Sequence, residues 1–100
     1  MPAYLIVRIA AAQPELLKPY QLATPAVVAK YHGRFIVRGG PVVSLEGPGE
    51  HRRIVVLEFP DLTLAQAFYH SPEYAAAKQL RAGIAEAEII AVEGFIAPAT

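Results

Sequence analysis

Residues 34–59 hold two runs of strand-forming residues, RFIVRGG and IVVLEF, separated by PVVSLEGPGEHRR. Two β-branched and aromatic runs flanking a Gly-Pro-Gly signal read as an antiparallel hairpin. No other feature constrains the fold as much, because it commits the middle of the chain to two neighbouring strands. A turn centred on Pro48 sets Arg38 opposite Glu58. Each of these residues is a charge at the end of or inside an apolar run, where an unpaired charge is costly. They can answer each other either as a structural ion pair or as a binding pair at the mouth of a cavity. Gly39-Gly40 is a candidate bulge that would move this register by one residue.

The remaining elements lead into and out of this hairpin. Residues 3–10 (AYLIVRIA) alternate with a period of two: Leu5, Val7 and Ile9 form one purely apolar face, and Tyr4, Ile6 and Arg8 form the other. Residues 14–31 have a helical pattern interrupted by Pro19 and Pro25, each of which lacks a donor and clashes with the preceding turn. This predicts a kinked or broken helix, with Thr24 as an N-cap before Pro25 and Gly33 as the stop. The second strand covers residues 34–43, with Phe35 and Val37 on one face and Arg34, Ile36 and Arg38 on the other. In the third, residues 54–59, Val55, Leu57 and Phe59 oppose Ile54, Val56 and Glu58. Asp61 and Ser71 are N-cap signals, the second opening a helix over residues 72–82. Residues 88–93 (EIIAVE) are a fourth strand, with Ile89, Ala91 and Glu93 assigned to the mixed face.

The order β-α-β-β-α-β predicts an α+β fold, a ferredoxin-like sandwich with a four-stranded antiparallel sheet and helices on one face. Residues 1–95 are expected to form one domain and residues 96–100 a loose tail. The mixed face is too apolar for water and too charged for an ordinary core. With 54% hydrophobic residues in 100, the chain has more apolar material than one small domain easily hides. A homodimer pairing sheet against sheet would cover it, with Arg and Glu neutralising each other around a small polar cavity.

Charge and composition remove several functional classes. Nine basic and nine acidic residues cancel, and the cluster His51-Arg52-Arg53 lies beside a turn, so the electrostatic footprint of a nucleic-acid binder is missing. There is no cysteine, which excludes disulfides, thiol nucleophiles and thiolate-bound metal. His32, His51 and His70 are far apart, without the close pair a metal site uses. Neither Gly39-Gly40 nor Gly47-Pro48-Gly49 precedes the helix start that a phosphate loop requires. No basic segment precedes an apolar stretch at the start, and residues 4–12 are too short to span a bilayer. A cytoplasmic protein with no membrane partner, metal or cofactor is expected.

Several motifs in order carry a resemblance: MPAY at the start, RFIVRGG, LEG at residues 45–47, VLEFP at 56–60, YHSPEY at 69–74 and VEG at 92–94. Together they resemble the family catalogued as domain of unknown function 1330, over roughly residues 2–95. The resemblance implies a dimeric α/β barrel, a superfamily that also contains cofactor-free monooxygenases, isomerases, dehydratases and haem-degrading enzymes. A shared fold does not transfer a reaction. The sequence departs from the family pattern at Gln13, Leu17, His32 and Phe68, where aspartate, tyrosine, glycine and tryptophan are usual.

Two functions of different class follow. One is an enzyme or binder acting on a small organic molecule, an anion being favoured by Arg38, which would hold an oxygen by a bidentate contact while Glu58 orients it or serves as general base. Tyr69 and Tyr74 would donate from the wall, with Tyr4, Arg8 and Glu93 as further contacts; any chemistry would be cofactor-independent, of monooxygenase or isomerase type. Ser71 beside His70 reads as a cap rather than a nucleophile. The other function is a structural or regulatory dimer whose Arg and Glu residues form an ion-pair network.

Overall fold

The computed structural model describes residues 1–98. Strand β1 (Ala3–Ala11) is followed by a 3-10 turn (Pro14–Leu17), helix α1 (Lys18–Lys30), strands β2 (Arg34–Arg38) and β3 (Arg53–Phe59), helices α2 (Leu62–Tyr69) and α3 (Pro72–Gln79), and strand β4 (Ala85–Glu93). The sheet order is β2-β3-β1-β4, with every neighbouring pair antiparallel. This is the ferredoxin-like α+β architecture. The expected tail at 96–100 ends in Ala99 and Thr100, which lie outside the described residues.

Alternation in β1 decides which face is covered. Ala3, Leu5, Val7 and Ile9 are all buried; Ala3 and Leu5, with Leu57 and Phe59 of β3, meet Val28 of α1, Ala65 and Phe68 of α2 and Tyr74 and Ala77 of α3, while Val7 and Ile9 meet Leu17. The helices therefore share one side of the sheet. Both predicted caps form: Asp61 Oδ1 accepts from the Leu64 amide at 2.8 Å, and Ser71 Oγ accepts from the Tyr74 amide at 3.0 Å. Such a cap is worth about 1 kcal/mol and stops α2 and α3 from fusing. Gly33 is required by contact, since a Cβ there would stand 2.5 Å from the Phe59 ring.

Four expectations are corrected. First, Arg38 does not face Glu58. β2 ends at Arg38, and Glu58 pairs with Arg34, Leu57 with Phe35, Val56 with Val37 and Val55 with Arg38. The turn is a 14-residue connection over residues 39–52, not a symmetric hairpin centred on Pro48, so counting outward from that proline fails. Second, the bulge falls between Phe35 and Val37, leaving Ile36 as the extra residue, rather than at Gly39-Gly40. One extra residue reverses the side-chain parity beyond it, so Arg38 turns to the helix-covered face and Val37 to the open one. Third, Ile89 and Ala91 pair with Val7 and Leu5 and so lie on the covered face, whereas Ile90 and Val92 lie on the open one. EIIAVE is apolar on both faces, and only the register with β1 decides between them. Fourth, α1 runs unbroken through Pro25, and Thr24 is a buried mid-helix residue rather than an N-cap. The helix changes character instead at Leu17–Lys18, and Pro19 sits in the first turn, where its missing amide costs nothing.

Candidate functional site

The proline inside α1 leads to the site. Pro25 has no N–H, so the Gln21 carbonyl one turn earlier has no helical donor. Arg38, turned inward by the bulge, donates from Nη2 to the Gln21 carbonyl at 2.8 Å, and its guanidinium lies 4.2 Å over the Phe35 ring. Arg53, opposite Ile9 in the register, also faces the helices. Its guanidinium lies where a Cβ on Gly39 would stand, 1.9 Å away, and Gly39 adopts φ +72°. A larger residue at position 39 would expel that guanidinium.

These two arginines stand at the mouth of an apolar slot between the sheet and the helices. Val7, Val55 and Leu57 form its floor, Tyr20, Thr24 and Val28 of α1 one wall, and Phe68, Tyr69 and Tyr74 the other. Its volume is about 50 Å³. An adjoining cleft of about 550 Å³, sharing Ile9, Leu17, Gln21 and Arg53 with the slot, opens under the 39–52 connection. Among the described residues, no carboxylate pairs with Arg38 or Arg53. Glu50, which also lines the cleft, is already engaged by Arg52 at 2.9 Å and Arg8 at 3.2 Å.

Two of the wall tyrosines also meet a buried arginine, Arg81, which is not among the residues lining the slot. The Tyr20 and Tyr74 hydroxyls are 2.7 Å apart, and Arg81 Nη2 donates to the Tyr74 hydroxyl at 3.4 Å. Arg81 is only 8% exposed, lies 5.4 Å from the centre of the Tyr20 ring, and leaves its Nε buried without an acceptor. Burial, reinforced by the neighbouring Tyr74, pushes the Tyr20 phenol well above its ordinary range, so Tyr20 stays a neutral hydroxyl. Tyr69 stacks 5.3 Å from Tyr74 and accepts from Lys78 Nζ at 3.0 Å.

The sequence-predicted residues thus divide between two faces. Arg38, Tyr69 and Tyr74 line the slot. Tyr4, Arg8 and Glu58 belong to the open face, where Glu58 is bound by Arg34 at 2.9 Å and Tyr4 packs against Gly94. Glu93, opposite Ala3, is exposed at the end of β4. Tyr20, Arg53 and Arg81 were missed. For Arg81 a signal exists: it follows Tyr74 by seven residues, two helical turns on one face of the helical pattern.

On the open face, Glu50 links the 39–52 connection to the sheet. Hydrogen bonds from the Arg52 side chain, and then from its amide, hold the Glu50 carboxyl down to about 2, from an ordinary value of 4.5. A depressed folded value means the attachment is complete above about pH 4.5 and is lost as the pH falls through about 2. The Arg52 amide, which donates to Glu50 Oε2 at 3.1 Å, is the reporter. Its NMR shift should titrate in that window, and Glu50→Gln should place it near its acid-limit position at neutral pH. A flat Arg52 shift would refute the attachment.

The order, register and one-sided helices define a ferredoxin-like domain with an internal apolar slot. Within that class, the chain belongs to the DUF1330 family, a domain of unknown function whose profile matches residues 2–95. Among solved structures, a protein of unknown function from Rhodopseudomonas palustris is similar at TM-score 0.72 and 20% identity, over 96% of this chain and 84% of that one. A dimeric protein of unknown function and ferredoxin-like fold from Bacteroides fragilis gives TM-score 0.61 at 20% identity, over 93% and 96%. SnoaB, a cofactor-independent oxygenase from Streptomyces nogalater, gives TM-score 0.67 at 14% identity, over 99% and 95%. At these identities the likeness establishes the fold alone. No curated protein matches the chain. Among the described residues, no helix is long and apolar enough to cross a membrane.

Proposed function

We propose that the protein is a homodimer, joined through its open sheet face, that binds a small organic anion in the slot beneath α1. The observation that carries the ligand reading is the mouth of the slot, where two guanidiniums, Arg38 and Arg53, meet apolar walls and, among the described residues, no carboxylate pairs them. An apolar cavity with a few convergent polar groups is the usual form of a small-molecule site. A guanidinium left without a counter-charge is a ready carboxylate or enolate receptor. Cofactor-independent chemistry of oxygenase or isomerase type is the enzymatic form of this reading, and the likeness to SnoaB is its cue. Glu58 as general base is not part of it, since its carboxylate is held by Arg34 on the opposite face.

The dimer reading is supported by the open face itself. Ile90, Val92 and Val37 are 53%, 43% and 40% exposed there, beside the Arg34–Glu58, Arg8–Glu50 and Arg52–Glu88 pairs. The structural ion-pair network belongs to this face, so the two functional readings occupy opposite sides of one sheet.

Thermal-shift screening of carboxylates, phenols and enols against wild type and Arg38→Ala tests the ligand reading. Loss of the charged hydrogen bond to Gln21, discounted for exposure, should cost the unliganded variant about 1 kcal/mol, or about 4–8 °C in Tm. Compounds that stabilise wild type should lose most of their effect in the variant. Silence across all three compound classes would overturn the reading.

A further inference from the structure

The strand register puts all the charge of the slot at one end. On the covered face, β1 and β3 pair Ile9 with Arg53, Val7 with Val55 and Leu5 with Leu57. Each step along this ladder is two residues, roughly 6–7 Å, so the floor runs from a guanidinium to two purely apolar rungs. Strand β2 repeats the order, since Arg38 pairs with Val55 and Phe35 with Leu57. Among the described residues that line the slot, Arg38 and Arg53 alone carry charge. At the far end Leu5, Val28, Leu57 and Phe68 are all buried. The wall hydroxyls are already engaged, Tyr20 with Tyr74 at 2.7 Å and Tyr69 with Lys78 at 3.0 Å. A second charged group placed there would be desolvated without a partner.

Resting on the reading that the slot binds an anion, we infer that its ligand is a short-chain monocarboxylate, held with the carboxylate at Arg38 and Arg53 and the hydrocarbon tail in the slot. Volume sets the length. A water-sized group needs roughly 10–15 Å³ of such a cavity, so a slot of about 50 Å³ takes a tail on the order of three or four carbons. Counting the carboxyl carbon, that is butanoate or pentanoate. Each methylene up to this length leaves water for contact with Val7, Val55 and Leu57. Further ones meet the Phe68 and Tyr74 rings, whose centres are 4.8 Å apart, or remain in the adjoining cleft. Two guanidiniums could instead suggest a dicarboxylate, but the Arg53 guanidinium lies against Gly39, the chain neighbour of Arg38. Both charges therefore stand at the same end, and a second carboxylate would have none to meet.

Straight-chain acids from acetate to octanoate, titrated into the wild-type protein and followed by NMR, make the test. Affinity should rise about threefold to fourfold per methylene as far as pentanoate and then level off. The Val28 and Leu57 methyl signals should move with pentanoate and not with acetate. Glutarate, a dicarboxylate with pentanoate's carbon count, should bind at least about tenfold more weakly than pentanoate. Val55→Phe, which fills the floor just inside the mouth, should flatten the series, and Arg38→Ala should weaken every acid by a similar factor. A flat series in wild type, a gain that continues unbroken to octanoate, glutarate equal to pentanoate, or a series that Val55→Phe leaves unchanged overturns the inference while leaving the anion site at the mouth standing. Failure of every acid to bind wild type overturns both. Should Val55→Phe not fold, the wild-type series and the glutarate comparison decide alone.

Discussion

Val56→Asp should leave the protein monomeric and folded at micromolar concentration where wild type sediments as a dimer. Val56 sits at the centre of the open face, paired with Ile6 on one side and Val37 on the other, with Ile90 one strand further across Ile6. In a single chain an aspartate there points to water and costs little. In a face-to-face dimer it would be buried without a counter-ion, because the nearby arginines already hold Glu58, Glu50 and Glu88. An uncompensated buried charge costs about 3–5 kcal/mol, and two-fold symmetry would impose the cost on both protomers. Ile89→Asp is the informative contrast. Ile89 packs among the covered residues of the sheet, so the same substitution there should unfold the chain rather than dissociate it. Light scattering with circular dichroism separates the outcomes: a wild-type monomer, or a Val56→Asp dimer of undiminished affinity, would refute the interface.

That contrast also marks how far the sequence could be read. Faces were legible wherever one side of a strand is polar, as in β1, where Arg8 and Tyr4 fix the outward side, and in β3, where Glu58 does. They were not legible in EIIAVE, which carries isoleucines on both sides, nor in β2, where the bulge at Ile36 reverses the strand without any glycine or proline to announce it. The candidate site suffered most from that bulge. Arg38 was singled out correctly as a charge in the wrong company, but its company is Gln21, Phe35 and Arg53 under the helices, not Glu58 on the open face. Pro25 was read as a helix breaker. Its physical effect is to free one carbonyl, which Arg38 takes, and nothing local to α1 could reveal a donor arriving from another strand. Tyr20 and Arg81 went unnoticed for a similar reason: each is unremarkable in its own segment, and they meet only when α1 and the end of α3 pack together.

Phe68→Ala should be the most damaging single truncation, lowering stability by about 3–4 kcal/mol out of the about 5–15 kcal/mol a domain of this size has. Phe68 is 2% exposed and joins three layers of the core: its ring lies 5.2 Å from Phe59 in the sheet, 4.8 Å from Tyr74 in α3 and 6.3 Å from Tyr31 at the end of α1. Removing it forfeits burial and those ring contacts, and it leaves a hole the neighbours cannot fill because Gly33 already holds the Phe59 ring at its closest approach. The hole would merge with the slot, since Phe68 forms part of its wall. Two measurements follow. The urea midpoint should fall with little change in slope, as expected when stability changes but the surface exposed on unfolding does not. Benzene should restore part of the lost Tm in the variant and none in wild type, because an enlarged apolar cavity stays dry and accepts an apolar guest. A loss under about 1 kcal/mol would mean that the helices close over the vacancy, and the slot would then be a deformable seam rather than a preformed site.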